Sequence, residues 1–183
     1  KAREWAARYG KDARLVELVL TEARNVIRMA SGVLITETRH GFICANSGVD
    51  TSTVPDGWAV TLPDDPDYSA EAIRKHLADA FSANIGVVVS DTFGRPWREG
   101  LVNVAIGVAG FDPFVDYRGS LDTFGKTLTA TRIAAADQLA GASELVMGKT
   151  KRVPVALVRG FHWVCGWGTA KQLQRTREKD LFR

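Results

Sequence analysis

Cysteine is scarce in this chain: Cys44 and Cys165 are the only two in 183 residues. They are far apart, with no CxxC spacing and no partnering histidine, which argues against a disulfide framework and a thiolate zinc site. Both sit among apolar residues and are read as buried free thiols of a reducing compartment. Histidine is almost as rare, and His40, His76 and His162 lack the spacing of a triad or a metal set. With no G-x-S-x-G elbow either, nucleophilic serine or cysteine catalysis is disfavoured. No apolar run approaches the ~18 residues of a membrane span, and no signal peptide is visible, so a cytoplasmic protein without a membrane partner is expected. Positive charge is not concentrated: 24 Lys and Arg against 21 Asp and Glu leave +3, with a local excess only at Lys149–Arg152 and near the end. That pattern lacks the basic stripe of a nucleic-acid footprint. Internal repeats and low-complexity tracts are absent too.

What is present is an ordinary globular composition, 45% apolar and 25% charged, long enough to bury one sizeable core. Residues 1–183 are expected to form a single domain. Lys1 opens straight into a charged segment without an initiator Met, so the expectation is a chain beginning partway through a longer protein. Apolar residues at helical spacing predict a helix from Asp12, its cap, to about Met29. Val33–Thr36 and Phe42–Ala45 read as a hairpin, and Trp58–Leu62 as a strand stopped by Pro63. A helix capped by Ser69 is expected to run to about Ser82 with Ile73, Leu77, Ala80 and Phe81 on its apolar face. Strands follow at Ile85–Ser90 and Val102–Val108, then an alanine-rich helix from Thr129 to Ala140 and a buried strand at Val153–Val158. The polar tail from Lys171 reads as a short helix and an extended end. This irregular alternation predicts an α+β fold with a mixed, largely antiparallel sheet and flanking helices.

The chemistry concentrates in Ser90-Asp91-Thr92-Phe93-Gly94-Arg95-Pro96-Trp97-Arg98, where an apolar run delivers a carboxylate and a hydroxyl beside two guanidiniums. A second carboxylate, Asp50, sits in Gly48-Val49-Asp50-Thr51-Ser52-Thr53. Each Asp is also well suited to capping its own turn. Taken together, Asp50, Asp91 and the Thr92 hydroxyl match the oxygen set preferred by Mg²⁺ or Mn²⁺, with substrate phosphate completing the shell. Arg39, Arg95 and Arg98 are the anion-binding candidates. An isolated arginine is usually solvated, but these stand among Gly, Pro, Trp or Phe, which favours a held fork. Trp97 reads more readily as core packing than as a stacking face.

Gly148-Lys149-Thr150-Lys151-Arg152 imitates the end of a phosphate loop, but Ser143 stands where the G-x-x-x-x-G-K-[ST] spacing needs glycine. A Walker-type NTPase is disfavoured, while a basic loop able to hold phosphate remains. The Asp-, Gly- and aromatic-rich stretch from Asp112 to Lys126 reads as an ordinary long loop, or as a lid or substrate rim.

Glu-Thr-Arg-His-Gly at 37–41, Gly-Val-Asp-x-Ser at 48–52, Ser-Asp-Thr-Phe-Gly-Arg-Pro-Trp-Arg at 90–98, Ala-Ile-Gly at 105–107, Asp-Tyr-Arg-Gly at 116–119 and Leu-Val-Met-Gly-Lys at 145–149 occur in that order. In these blocks, which run along essentially the whole chain, the sequence resembles the coenzyme F420-0:L-glutamate ligase family. The resemblance implies a GTP-dependent homodimeric ligase that joins L-glutamate to F420-0 using Mg²⁺ or Mn²⁺. It implies metal binding by Asp50, Asp91 and Thr92, and nucleotide contact by Thr53 and the loop Met147, Gly148, Lys149, Thr150 and Lys151. Two positions depart from the family pattern: Thr53 stands where the family has Asn, and Lys149 where archaeal members carry a metal-binding Gln. A protonated Lys149 cannot ligate metal but can contact phosphate. The family's N-terminal Leu-Pro motif and Ser/Lys element, which contact GTP, have no counterpart in these residues.

In that setting GTP would activate a carboxylate as an acyl phosphate, and the protein's task is charge neutralisation and alignment. Arg39, Arg95 and Arg98 would orient acceptor, phosphate or incoming glutamate. Two other functions suit the same residues: a metal-dependent phosphohydrolase that activates water, and a non-catalytic nucleotide- or metabolite-binding module.

Overall fold

The computed structural model describes residues 1–181. The architecture is α+β, as the sequence predicts: helices accompany small sheets whose registered pairs, β1–β2, β2–β3 and β6–β7, are antiparallel. The order is α1 (Ala2–Tyr9), α2 (Ala13–Glu22), β1 (Ala23–Ala30), β2 (Val33–Thr38), β3 (Ile43–Ala45), α3 (Pro66–Phe81), β4 (Val87–Arg95), β5 (Arg98–Ala109), β6 (Phe114–Asp116), β7 (Arg132–Ala134) and α4 (Ala135–Met147). The chain divides into two compact units: Lys1–Asp64 with Phe93–Gly100, and Asp65–Thr92 with the residues from Leu101 onward. No helix among the described residues is long and apolar enough to cross a membrane.

In the first unit, Asp12 caps α2 by accepting from the Arg14 N–H at 2.8 Å, as expected. The helix ends at Glu22 instead of Met29. From Ala23 the chain pairs with β2, from Ala23–Thr38 to Ala30–Val33. Asn25, Val26 and Ile27 disfavour helix, so cross-strand pairing outweighs the continued apolar spacing. The predicted hairpin is present as β2 and β3, closed by the Thr38 N–H donating to the Phe42 carbonyl at 2.9 Å. Trp58–Leu62 is not a strand. It makes one antiparallel bridge, Asp50 with Val60, and Trp58 is exposed. Prolines on both sides, Pro55 and Pro63, remove ladder donors there. Val19, Leu34 and Val49 form the core, beside a buried polar link in which the Ser47 hydroxyl donates to the Val19 carbonyl at 2.8 Å.

In the second unit, α3 begins earlier than predicted. Asp65, not Ser69, is the cap, accepting from the Tyr68 N–H at 2.9 Å, with Pro66 in the first turn. Ala70 is buried on this helix while Ile73 and Phe81 are exposed, so the expected apolar face is not the packed one. The strands β4 and β5 are both longer than expected, and their joining tip, Phe93–Gly100 with the Pro96-Trp97 connection, is counted with the first unit. Ala105, Val108, Phe111, Ala136 and Ala170 make the core, its three alanines letting backbones approach closely. Asp67 ties it together, accepting from the N–H groups of Val108 at 2.8 Å and Ala170 at 2.7 Å. The predicted helix from Thr129 starts at Ala135, because Arg132–Ala134 pair with Phe114–Asp116 as β7 and β6.

Val153–Val158 is neither strand nor buried: Val155 and Leu157 are 76% and 74% exposed. Apolar composition alone does not make a strand without a partner ladder, and Pro154 removes one donor. Cys44 is buried as read, but Cys165 is exposed, its sulfur accepting from Asn84 Nδ2 at 3.2 Å. The tail contains short 3₁₀ turns at Ala170–Leu173 and Arg177–Lys179, and the last expected residues lie outside the described ones.

Asp137, in the first turn of α4, is half-buried, and loss of solvent pushes its carboxyl above the ordinary range despite the donated Ala105 N–H. A folded-state pKa above the unfolded one favours the fold at low pH, and that contribution is lost as pH rises through the folded value. Asp137→Asn keeps an accepting oxygen without the charge. Thermal melts of both proteins from pH 4 to 7 are expected to show the variant's Tm gaining on the wild type as pH rises towards the carboxyl's raised folded value, and levelling off above it. A gap independent of pH would refute this.

Candidate functional site

Arg39 follows directly after β2. Its guanidinium is held between two carboxylates, Glu22 at 3.3 Å and Asp64. His40 adds a contact from Nε2 to the Asp64 carbonyl at 3.2 Å, and its ring lies 5.9 Å from Phe42, which meets Phe93 edge-on at 6.0 Å. Arg39 is thus engaged by two acidic partners, Glu22 and Asp64, that lie outside its own motif.

Asp50 lies just beyond a turn in which Asn46 and Ser47 take φ of +52° and +56°. Its carboxylate accepts from the Ser52 N–H at 2.7 Å and the Ser52 hydroxyl at 2.6 Å. The turn-capping use of this Asp is therefore realised, and the group stays at the exposed end of the Asp50–Val60 bridge. Thr53 follows in the same exposed turn at φ +59°.

Asp91 and Thr92 lie inside β4, half-buried, instead of at the end of a buried strand. The hairpin continues to Arg95, whose Nη2 donates to the Glu99 carbonyl at 2.9 Å while its buried Nε has no hydrogen-bond partner among the described residues. Arg98 is exposed, and so is Trp97 at 79%, which corrects the expectation of core packing. Trp97 also takes φ +57°, because a two-residue connection after Pro96 needs a left-handed second position.

Thr92 is the best-defined member. Its hydroxyl donates to Asn103 Oδ1 at 2.8 Å and accepts from Lys149 Nζ at 2.6 Å. Asn103, on β5, in turn donates from Nδ2 to Glu144 Oε2 at 3.0 Å. Lys149 reaches Thr92 because α4 stops at Met147 and Gly148 turns the chain with φ +58°, its N–H donating to the Glu144 carbonyl at 2.9 Å. Thr150 and Lys151 continue as an exposed loop. Asn103 and Glu144 belong to none of the motifs that mark the site in the sequence. Asn103 was detectable as the one polar residue interrupting Leu101–Ile106, whereas nothing local marked Glu144.

Asp50 belongs to the first unit, and Asp91, Thr92 and Lys149 to the second. Among the described residues, no group of three or more His, Cys, Asp or Glu side chains gathers as a metal cage. Mg²⁺ does not need one, since one or two carboxylates, a neutral oxygen, water and phosphate suit it; the first unit offers the Asp50 carboxylate, and the second the Asp91 carboxylate with the adjoining Thr92 hydroxyl. Beside β4 is a mostly apolar groove of about 550 Å³, lined by Val88, Ser90, Leu139, Met147 and Trp163. The Asp112–Lys126 stretch is ordered by turns. Asp116, held down to about 2 by the Arg118 guanidinium, and Asp122, accepting from two backbone N–H groups, organise it.

A family model described as F420-0:Gamma-glutamyl ligase matches residues 1–160. A protein of Methanothermobacter thermautotrophicus named coenzyme F420:L-glutamate ligase is 48% identical over 186 residues, covering all of this chain and 74% of that protein. Proteins of the same name from Methanocaldococcus jannaschii and Archaeoglobus fulgidus are 42% and 36% identical, and the chain covers 74% and 73% of them.

Proposed function

The chain belongs to the F420-0:gamma-glutamyl ligase family, and from that premise we propose that it joins L-glutamate to coenzyme F420-0 by an amide bond, consuming GTP with Mg²⁺ or Mn²⁺. A carboxylate does not condense with an amine at neutral pH, so phosphoryl transfer from GTP first converts it to an acyl phosphate. GDP leaves in that transfer; glutamate's amine, its ammonium proton lost to solvent, then attacks the acyl carbon, and the tetrahedral adduct expels phosphate and gives up a second N–H proton to leave the amide. Such chemistry asks the protein for positioning and charge neutralisation more than for a covalent partner.

The observation that carries this reading is the Thr92–Lys149 pair, which puts an ammonium beside the Asp91-Thr92 segment of β4. In the proposal, Lys149, with Gly148, Thr150 and Lys151 around it, takes nucleotide phosphate, and Met147 and Thr53 complete the nucleotide contacts. Asp50, Asp91 and Thr92 hold the divalent ion, which when bound would neutralise phosphate charge. Arg39, its fork set by Glu22 and Asp64, orients an anionic group of the acceptor. Arg95 and Arg98 present two further guanidiniums for phosphate or for glutamate.

Incubation with GTP, Mg²⁺ or Mn²⁺, L-glutamate and F420-0 is expected to raise the mass of the deazaflavin by one glutamyl unit, with GDP and phosphate released only when both substrates are present. Release of phosphate without glutamate or acceptor would favour the phosphohydrolase. Tight GTP binding with no turnover would favour a binding module.

A further inference from the structure

Lys149, Thr92, Asn103 and Glu144 form one continuous hydrogen-bonded row that starts at an exposed ammonium and passes through a buried amide. The direction of every bond in it follows from its inner end. A carboxylate only accepts, so Glu144 Oε2 selects the Nδ2 side of the Asn103 amide. That choice turns Oδ1 toward Thr92. An amide oxygen has no proton to give, so the Thr92 O–H must donate to it. The Thr92 oxygen then offers lone pairs alone, and one of them takes an N–H of Lys149 at 2.6 Å. An ammonium carries three donors, so two remain for an anionic oxygen.

We propose that Glu144 and Asn103 are positioning residues: by holding Thr92 as an acceptor toward Lys149, they preset the lysine as a fixed cation for a nucleotide phosphate. A lysine side chain loses much rotamer freedom when ordered, and a site that orders it before the ligand arrives binds with a smaller loss. The last turn of α4 supplies both ends of the device. Glu144 contributes its carboxylate to Asn103 and its carbonyl to the Gly148 N–H, and Gly148 turns the chain so that Lys149 comes next. The inference rests on the reading of Lys149 as a phosphate contact.

The test is binding of a fluorescent GDP and of the matching fluorescent guanosine, without divalent ion or glutamate, to the full chain and its variants. Glu144→Gln conserves shape, but its amide can donate to Asn103 Oδ1 and release the imposed polarity. It is expected to weaken GDP about fivefold, the scale of one ordinary hydrogen bond, and to leave guanosine unchanged. Thr92→Val, which deletes the acceptor, is expected to match it, and Thr92→Ser to bind like the wild type. Glu144→Gln added to Lys149→Met is expected to cost nothing more than Lys149→Met alone. Wild-type GDP binding by Glu144→Gln, equal loss of GDP and guanosine, or an additive double variant would each overturn the positioning role. If Lys149→Met binds GDP normally, the phosphate contact itself fails, and the proposal fails with it.

Discussion

Asp91→Asn is expected to lower the rate of glutamyl transfer about 10³-fold, the scale of removing one preorganised charge interaction from a reacting centre. The substitution preserves shape in a half-buried strand position, so the far-ultraviolet spectrum and melting temperature should stay close to those of the wild type. Asp50→Asn is expected to show a similar loss with a small additional cost in its turn, because one carboxylate oxygen holds the Ser52 N–H and the other the Ser52 hydroxyl. Initial rates at saturating GTP over a Mg²⁺ series check both. A loss below tenfold in either folded variant would remove that Asp from the reacting centre. The reasoning is electrostatic: transfer of a phosphoryl group spreads negative charge over several oxygens, and an amide recruits far less positive charge than a carboxylate does.

Gly107→Ala should produce the largest change in stability. A Cβ there would lie 2.1 Å from the Pro66 carbonyl oxygen, 2.5 Å from its carbon and 3.1 Å from the Asp67 nitrogen. These are backbone atoms at the start of α3, so no side chain can swing aside. Relief requires moving the turn whose Asp67 accepts from the Val108 and Ala170 N–H groups. A cost of about 3 kcal/mol, the upper part of the overpacking range, is expected. It would appear as a fall in Tm of roughly 6–12 °C for a chain of this length. Differential scanning calorimetry reads it directly, and a shift under about 2 °C would show that α3 and β5 separate more easily than their contacts imply.

Local signals were legible wherever neighbours in sequence do the work. The Asp12 cap, the β2–β3 hairpin and the body of α3 depend on spacing and turn chemistry within a few residues. The reading failed where a distant partner decided the outcome. Ala23–Ala30 carries apolar residues at helical spacing yet becomes a strand because β2 is available to pair with it. Val153–Val158 is apolar enough for a strand yet forms none, having no partner ladder. Trp97 is exposed because the hairpin turn, not the core, claims its backbone.

By itself the order of residues determined the α+β class, the family resemblance and the segments that carry charge and hydroxyl groups. These depend on composition and short spacing, which survive without coordinates. Only the tertiary structure decided that Arg39 is clamped by Glu22 and Asp64, and that Lys149, Thr92, Asn103 and Glu144 share one row of hydrogen bonds. The physical reason is that a hydrogen bond needs its atoms about 3 Å apart, a condition set by how strands and helices pack and not by nearness along the chain.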